Sequence, residues 1–371
     1  MSLNRSVIGI LLFTGIASAQ VVVVRHAPEI SMPARTVDGN SPGVWQDGRL
    51  TVYTSTGTPS SMNGASIFNL SVGAPPIVDS RAHFPMWIES VWRDDDAGLT
   101  YGWYHHEVPV CGKLNAPEIG ALVSSDGGRT FEDLGIVLSS GDAVNCGAQN
   151  GFFAGGHGDF SVILDREREY FYFLFTNYGG PGQNQGIAMA RMAFADRANP
   201  RGTVRKLHQG EWDQPGVGGA VTPIFRAQVP WERSNADSFW GPAIHWNTAI
   251  DRYVVLLNRA CCKTNWPQEG IYITFGTDLS DPSTWVTPAK ILDDSQIGFA
   301  PGYYPQVFGV DEGDTDTIAG QSPRLFIKGV SKWELFFEQK VIPDPDSEPD
   351  PDLETDPGDG EPSDRPWLDL P

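Results

Sequence analysis

The sequence predicts an all-β fold, a single-domain five-bladed β-propeller. Short runs of aromatic and β-branched residues are frequent, long helical patterns are scarce, and the 41 glycines among 371 residues suit a chain with many turns. A strand, a polar turn and a second strand recur five times. The first strands lie near residues 41–45, 88–92, 159–163, 241–245 and 304–308, and the second near 50–55, 99–105, 170–175, 253–258 and 325–330. Such hairpin repeats are typical of propeller blades, and they place the start of each first strand around one central funnel.

The first 19 residues have the pattern of a signal peptide. Arg5 supplies the positive end, residues 7–16 the apolar stretch, and Ala17-Ser18-Ala19 the small-residue cleavage site. The alternative is a buried N-terminal strand. Because the apolar stretch is too short to span a membrane, we expect a protein secreted to the extracellular space or the periplasm.

The remaining chain divides into a propeller domain and an acidic tail. A lead-in strand and loop over residues 20–36 precede the repeats, and the domain ends near residue 340. Residues 341–371 contain eleven acids and one arginine, so this segment is expected to be disordered and to act as a spacer, a weak calcium binder or a solubiliser. The formal net charge of -20 argues against nucleic acid and anionic membranes as partners, and we expect a monomer.

The four cysteines fit an oxidising compartment. Cys111 and Cys146 are one expected pair. The adjacent Cys261 and Cys262 either form a vicinal disulfide or each bridge elsewhere, and free buried thiols are the alternative for all four.

One turn matches the Asp-box pattern Ser-x-Asp-x-Gly-x-Thr-aromatic over residues 124–131. We expect Asp126 to bond the backbone of its own turn, Gly128 to adopt a left-handed conformation and Phe131 to pack under the blade. This pattern supports the fold and is remote from chemistry.

Two acidic segments at predicted strand starts carry a family resemblance. They are Val37-Asp38-Gly39-Asn40-Ser41-Pro42 and Gly158-Asp159-Phe160-Ser161-Val162. On these segments, residues 37–340 resemble the five-bladed propeller glycosidases, the clan of glycoside hydrolase families 43, 32 and 117. The resemblance implies that three carboxylates from different blades meet at the funnel floor as base, proton donor and a group that orients the donor.

The resemblance assigns roles to three acids. Asp159 would be the orienting carboxylate, unless it only caps a turn. Asp38 would be the base, although it lies three residues before the place where the family carries Asp-Pro, and it otherwise belongs to an Asp-Gly turn. The family's acid would fall at Trp240, so Glu89 is the candidate donor, with Trp87 beside it to raise its pKa. The alternative for Glu89 is an ion pair with Arg81 or Arg93.

Other side chains near the predicted funnel are candidates for substrate binding. Tryptophans at strand starts would stack on sugar rings, unless they only pack the blades. The histidines would bind a hydroxyl, donate a proton or ligate a central metal, with a structural role as the alternative. The candidates are Trp45, Trp87, Trp240, His105, His157, Asn177, Arg259 and Tyr303.

These observations favour a hydrolase that cleaves a polysaccharide or oligosaccharide. It would require no cofactor, while leaving room for a structural calcium ion on the axis, and the sequence lacks the motifs of nucleotide and hydride cofactors. One alternative is a non-catalytic carbohydrate-binding propeller. The other is a polysaccharide lyase that uses His105 or His157 with Tyr303, and Arg81 or Arg259 facing a substrate carboxylate.

Overall fold

The structure is a computed structural model that describes residues 7–15, 18–34, 37–298 and 303–341. These residues form five sheets, each one blade of a propeller, which confirms the predicted fold. In the same ranges no helix is both long and apolar enough to cross a membrane.

The blades follow one another along the chain, after two N-terminal strands that join the last blade. The N-terminal strands are β1 (Val7–Gly15) and β2 (Ser18–Ser31). Blade 1 contains β3 (Gly43–Gln46), β4 (Arg49–Ser55), β5 (Pro59–Gly64) and β6 (Ser71–Val72). Blade 2 contains β7 (Ile77–Val78), β8 (Met86–Asp94), β9 (Leu99–Cys111), β10 (Leu114–Ser124) and β11 (Thr130–Leu138).

The later blades have longer loops and some extra strands. Blade 3 contains β12 (His157–Leu164), β13 (Tyr170–Asn177), β14 (Gly186–Ala193), β15 (Arg205–His208), β16 (Glu211–Pro215) and β17 (Phe225–Arg226). Blade 4 contains β18 (Ser238–Asn247), β19 (Arg252–Ala260), β20 (Gln268–Gly276), β21 (Ala289–Asp293) and β23 (Ile318–Ala319). Blade 5 contains β22 (Pro305–Phe308), β24 (Arg324–Ile327) and β25 (Val330–Val341), together with β1 and β2. The short helices are α1 (Asp294–Ile297) and three 3₁₀ turns at Gly182–Asn184, Phe194–Asp196 and Pro282–Thr284.

The five predicted hairpins are the first two strands of the five blades. They correspond to β3-β4, β8-β9, β12-β13, β18-β19 and β22-β24. Their first strands are the inner strands. The predicted lead-in strand is β2, which pairs antiparallel with β25 and so completes blade 5. Strand β23, from the loop that follows β22, pairs with β18 of blade 4 and ties the two blades together.

Apolar clusters fill the spaces between adjacent blades. Each neighbouring pair, including blades 5 and 1, shares one such cluster among the described residues. Inner strands therefore contact apolar surface on both faces, and β12 is buried from its first residue to Ile163. A ring closed by this packing presents loops at both ends of the axis.

The turn around Asp126 adopts the predicted contacts. The Asp126 carboxylate accepts hydrogen bonds from the backbone N–H groups of Arg129 and Thr130 and from the Thr130 hydroxyl. Gly128 has a φ of +80° and Phe131 is buried. This turn joins β10 to β11 and stabilises the outer part of blade 2.

The acidic tail and the signal peptide both remain predictions. The acidic tail lies outside the described residues beyond position 341. Part of the predicted signal peptide forms β1, which pairs antiparallel with β2, and the leader stays a prediction.

The expected Cys111–Cys146 disulfide is present, and for Cys261 and Cys262 the vicinal alternative is the one observed. Cys111, at the end of β9, bonds to Cys146, and Cys261 bonds to its neighbour Cys262. The first bond therefore fixes the loop that leads into blade 3 against blade 2.

We expect the double substitution Cys111→Ala/Cys146→Ala to lower the free energy of unfolding by about 4 kcal/mol, because the bond closes a loop of 35 residues in the unfolded chain. The matched control is Cys261→Ala/Cys262→Ala, which opens a loop of sequence separation 1 and should cost far less. Denaturant unfolding measures both, and equal losses would contradict the expectation.

Candidate active site

The inner strands of blades 2, 3 and 4 each contain one extra residue near their start. Glu89 lies between two residues of β8 that pair with consecutive residues of β9. Asp159 holds the same position in β12 against β13, and in β18 the irregularity falls at Gly241-Pro242. A β-bulge turns a side chain out of the regular alternation of its strand. The bulges therefore give two neighbouring blades a carboxylate at an equivalent place, while blade 4 has glycine there.

The segment before β3 joins the blades across the axis. The Asn40 amide donates hydrogen bonds to the carbonyls of Phe160 (2.8 Å) and Pro242 (3.0 Å), in blades 3 and 4. The Ser41 backbone exchanges two hydrogen bonds with the Gln306 side chain of blade 5, at 2.6 and 2.9 Å. Residues 40 and 41 thus form a floor at which the strand starts meet.

Asp159 is buried at this floor by two tyrosines. Asp159 is 3% exposed, and its backbone has a left-handed φ of +40°. The Tyr304 hydroxyl donates to Oδ1 at 3.2 Å, and the Tyr178 hydroxyl donates to Oδ2. Burial, together with the charge of Asp159, raises the pKa of both phenols well above their usual range, so they remain donors. Tyr304 also has a left-handed φ, of +61°, and such strained residues cluster at functional sites.

Glu89 and His105 form a buried pair beside Asp159. His105 Nδ1 lies 3.4 Å from Glu89 Oε1 and 3.9 Å from Asp159 Oδ1. Glu89 Oε2 accepts a hydrogen bond from the Phe160 backbone N–H at 2.9 Å. The three ionisable groups therefore share one enclosed site, which connects blades 2 and 3.

Two glycines give this pair its space. A Cβ at Gly39 would lie 3.0 Å from Glu89 Oε1, and Gly39 has a φ of +155°. A Cβ at Gly158 would lie 2.9 Å from the His105 ring. Glu89 is 1% exposed beneath this backbone, so a direct transfer of its proton to a substrate, as the sequence prediction required, does not fit the geometry.

The electrostatics of the pair favour bound protons. Burial raises the pKa of Glu89, despite its contacts with His105 and the Phe160 N–H. Burial alone would lower the pKa of His105, but the hydrogen bond to Glu89 and the charges of Asp159 and Glu107 raise it. The imidazole at this site therefore binds its second proton more readily than a free histidine does.

Asp38 is exposed at the same floor. Its backbone N–H donates to the Ser55 carbonyl at 3.1 Å, and the Trp87 indole donates to its carboxylate. Surrounding protein and the charge of Asp159 raise its pKa, while Lys328, Trp87 and His105 act in the opposite direction. Trp87 also packs against His105, with ring centroids 5.5 Å apart. Asp38 and Trp87 thus lie together over the buried carboxylates.

Glu107 is a fourth acid at this site, and the sequence analysis did not select it. It lies two residues beyond His105 on β9, and its side chain is 23% exposed. The Asn115 amide donates to Oε2 at 2.5 Å, and Oε1 lies 4.0 Å from His105 Nε2. Burial raises the pKa of Glu107, and the charges of Asp159 and Asp38 act in the same direction. Because the charge of Asp38 acts on the pKa of Glu107, the two acids lie in one electrostatic environment.

Three of the predicted aromatic ligands have other surroundings. Trp240 is 2% exposed and packs edge-on against Tyr304 at 5.4 Å, behind the site. Tyr303 packs against Trp240 at 5.0 Å, and its hydroxyl donates to the Trp266 carbonyl. The Trp45 indole donates to the Asp314 carbonyl at 2.7 Å, in the loop after the far end of β22. Trp240 and Tyr303 thus support the floor, while Trp45 lies toward the opposite face.

The other predicted ligands are engaged in structural contacts. Buried His157 accepts a hydrogen bond at Nε2 from the Lys206 ammonium at 2.9 Å, and burial with this charge lowers the pKa of His157 well below its usual value. Buried Asn177 donates to the Asn184 carbonyl at 2.7 Å. Arg259 is paired with Asp237 at 2.8 Å. The polar groups of these three side chains are thus engaged with protein partners, and their role as substrate ligands stays a prediction.

The arginines expected near Glu89 also lie elsewhere. Arg93 pairs with Asp95 at 2.7 Å, and Arg81 packs over the Phe84 ring at 4.4 Å. The alternative of an ion pair from either arginine to Glu89 is therefore wrong, because His105 is the partner.

Glu89, His105 and Asp159 offer ligand atoms within 4.8 Å of one another, the spacing of a metal site. Calcium, however, takes six to eight oxygen ligands, and this group supplies two carboxylates and an imidazole. The carboxylates already accept hydrogen bonds from Tyr178, Tyr304 and the Phe160 N–H. The cluster therefore fits calcium poorly, and no chemical step is assigned to a metal.

The residues that sequence reasoning missed left different signals. Glu107 follows His105 by two residues in a predicted strand, and such residues share a face, so period 2 could have found it. Tyr304 opened the fifth repeat, but only its left-handed backbone directs the phenol to Asp159. Tyr178 had no signal beyond its place after the second strand of blade 3.

No protein-family model and no curated protein sequence matches this chain. Solved structures similar to it include an exo-1,5-α-L-arabinanase from a bovine ruminal metagenomic library, at 13% identity, a TM-score of 0.49 and coverage of 82% of this chain and 95% of the other. An endo-arabinase from Bacteroides thetaiotaomicron is 13% identical, with a TM-score of 0.45 and coverage of 85% of this chain and 98% of the other. A family 43 β-1,3-galactosidase with galactodeoxynojirimycin is 12% identical, with a TM-score of 0.49 and coverage of 83% of this chain and 94% of the other. One of these three solved structures belongs to glycoside hydrolase family 43, which is among the families that the sequence resemblance named.

We expect the contribution of Glu89 and His105 to the free energy of unfolding to fall as the pH rises from about 4.5 to about 9. The folded pKa values of Glu89 and His105 are both raised, so their contribution is complete below the unfolded pKa values and is lost as the pH rises through the folded ones. Glu89→Gln should reduce this fall by about 3 kcal/mol, since burial raises the pKa of Glu89 from 4.5 to about 7 and each unit of pKa shift corresponds to about 1.4 kcal/mol.

Urea unfolding across this pH range measures the difference between the proteins. The control is Glu132→Gln, which changes an exposed acid on β11 and should keep the wild-type slope. The same slope in wild type and Glu89→Gln would contradict the coupling.

Proposed function

We propose that the protein is a secreted glycoside hydrolase that cleaves a polysaccharide or oligosaccharide. The observation that carries the proposal is the meeting of four acids from three blades, Asp38, Glu89, Glu107 and Asp159, around one buried histidine. Glycoside hydrolysis needs one carboxylate that is ionised and one carboxylic acid that holds its proton, and a funnel in which acids shift each other's pKa supplies both.

Asp38 is the base in this proposal. Its carboxylate is exposed at the floor, so a water molecule can approach it. Burial and Asp159 raise the pKa of Asp38, and Lys328, Trp87 and His105 act against this rise in favour of the ionised form, which a base requires. Asp159 lies beneath, acts on the pKa of Asp38 and favours the charged form of His105.

The lyase alternative receives less support. A lyase needs a cationic group facing the substrate carboxylate, and the candidates Arg81 and Arg259 are engaged with Phe84 and Asp237. The carbohydrate-binding alternative rests on Trp240 and Ser41, which stand where the resemblance led us to expect acids.

Secretion is part of the proposal. A predicted leader over residues 1–19 precedes the propeller, and both cysteine pairs are oxidised.

The test is product analysis on arabinan, β-1,3-galactan, xylan and uronic-acid polysaccharides, with new reducing ends and unsaturated-uronate absorbance as readouts. We expect reducing ends without that absorbance. Absorbance would identify a lyase, and binding without products would identify a carbohydrate-binding propeller.

Asp38→Asn should lower kcat/KM by about 10³-fold, the typical contribution of a general base or acid. The matched control is Asp47→Asn, in the exposed Asp-Gly turn between β3 and β4, which should keep wild-type activity. Activity of Asp38→Asn within about tenfold of wild type would exclude Asp38 as the base.

A further inference from the structure

The proton donor of this site must reach the substrate. Glu89 is covered by Gly39, and both of its oxygens face protein partners, His105 and the Phe160 N–H. Asp159 is enclosed by Tyr178 and Tyr304. Neither acid can give a proton to a glycosidic oxygen in the funnel.

We propose that Glu107 is the proton donor of the hydrolytic site. This inference rests on the proposed function and replaces Glu89 in that role. Glu107 is partly exposed, whereas His105 on the same face of β9 is buried, so of the two side chains Glu107 is the one that a substrate can reach.

The Asn115 amide sets the orientation of the donor. It donates to Oε2, which leaves Oε1 as the oxygen that carries the proton. Asn115 is itself held by its backbone, because its N–H donates to the Phe152 carbonyl at 2.9 Å and its carbonyl accepts from the Ala154 N–H at 2.8 Å. The loop that the Cys111–Cys146 bond attaches to blade 2 therefore supports the donor through Asn115.

His105 is placed to stabilise Glu107 after proton transfer. His105 Nε2 is buried and has no hydrogen-bond partner among the described residues. The Glu107 Oε1 atom lies 4.0 Å away, just beyond hydrogen-bond distance. An interaction that strengthens as negative charge develops on Glu107 favours the transition state over the ground state.

The proton and bond changes balance. Glu107 Oε1–H gives its proton to the glycosidic oxygen as the bond from that oxygen to the anomeric carbon breaks. A water molecule forms the new bond to the anomeric carbon and gives a proton to Asp38. After the products leave, solvent takes the proton from Asp38 and returns one to Glu107. Burial and the neighbouring acids raise the pKa of Glu107, which favours this return.

The test compares Glu107→Gln with Glu89→Gln on two substrates of the full-length protein. These are the polysaccharide that the wild type cleaves and the 2,4-dinitrophenyl glycoside of the sugar it releases, whose leaving group departs without protonation. We expect Glu107→Gln to lose about 10³-fold in kcat/KM on the polysaccharide but less than about tenfold on the dinitrophenyl glycoside. Its pH–rate profile should also lose the alkaline limb.

The two variants distinguish the possible outcomes. The assignment of Glu107 would be overturned if Glu107→Gln lost equal activity on both substrates or lost little activity on the polysaccharide. It would also be overturned if Glu89→Gln, rather than Glu107→Gln, lost activity on the polysaccharide but not on the dinitrophenyl glycoside. A wild-type protein that hydrolyses no glycoside would overturn the proposed function itself and the donor with it. Unchanged thermal unfolding of Glu107→Gln verifies that the variant folds.

Asn115→Ala provides a second readout that a purely structural role would not give. A hydrogen bond to the ionised carboxylate lowers its pKa, so its removal should raise the pKa of Glu107. The alkaline limb of the pH–rate profile should therefore move to higher pH. A limb that stays in place would contradict the orientation of Glu107 by Asn115.

Discussion

The cost of burying carboxylates near the propeller axis organises this molecule. A bulge in each of two inner strands brings Glu89 and Asp159 out of water, where an ionised carboxyl group without partners is very unfavourable. The partners come from other blades: Tyr304 belongs to blade 5, and the Phe160 N–H that binds Glu89 belongs to blade 3. The interactions that satisfy the acids are therefore also the ones that join the blades at the floor of the funnel.

The charged groups form two layers. Glu89, His105 and Asp159 make a buried lower layer. The upper layer consists of Asp38, which is exposed, and Glu107, which is partly exposed. Charge in the lower layer acts on both upper acids, because Asp159 raises and His105 lowers the pKa of each. A substitution in the lower layer should therefore change the pH range of the chemistry, and one in the upper layer should change the chemistry itself.

The repeat of hairpins was sufficient to predict all five inner pairs of strands, because alternation and turn residues act locally. Asp38, Glu89, Asp159 and His105 could be selected from the sequence, since they lie at or beside the strands that surround the axis. The direction of each side chain could not be predicted from the sequence. The bulge in β18 changes the phase of that strand, so Trp240 points into an aromatic cluster rather than the funnel. Arg259 and His157 found partners, Asp237 and Lys206, that lie 22 and 49 residues away in sequence, and no local pattern reveals such pairs.

The most direct measurement is a crystal structure of the Asp38→Asn variant with a bound oligosaccharide of the cleaved polymer. If the acids of the funnel act as described, the scissile glycosidic oxygen will lie within hydrogen-bond distance of the Glu107 carboxyl group. The anomeric carbon will then face the substituted side chain at position 38 across a bound water molecule. An oligosaccharide bound away from this floor, or a glycosidic oxygen in contact with another acid, would contradict the arrangement.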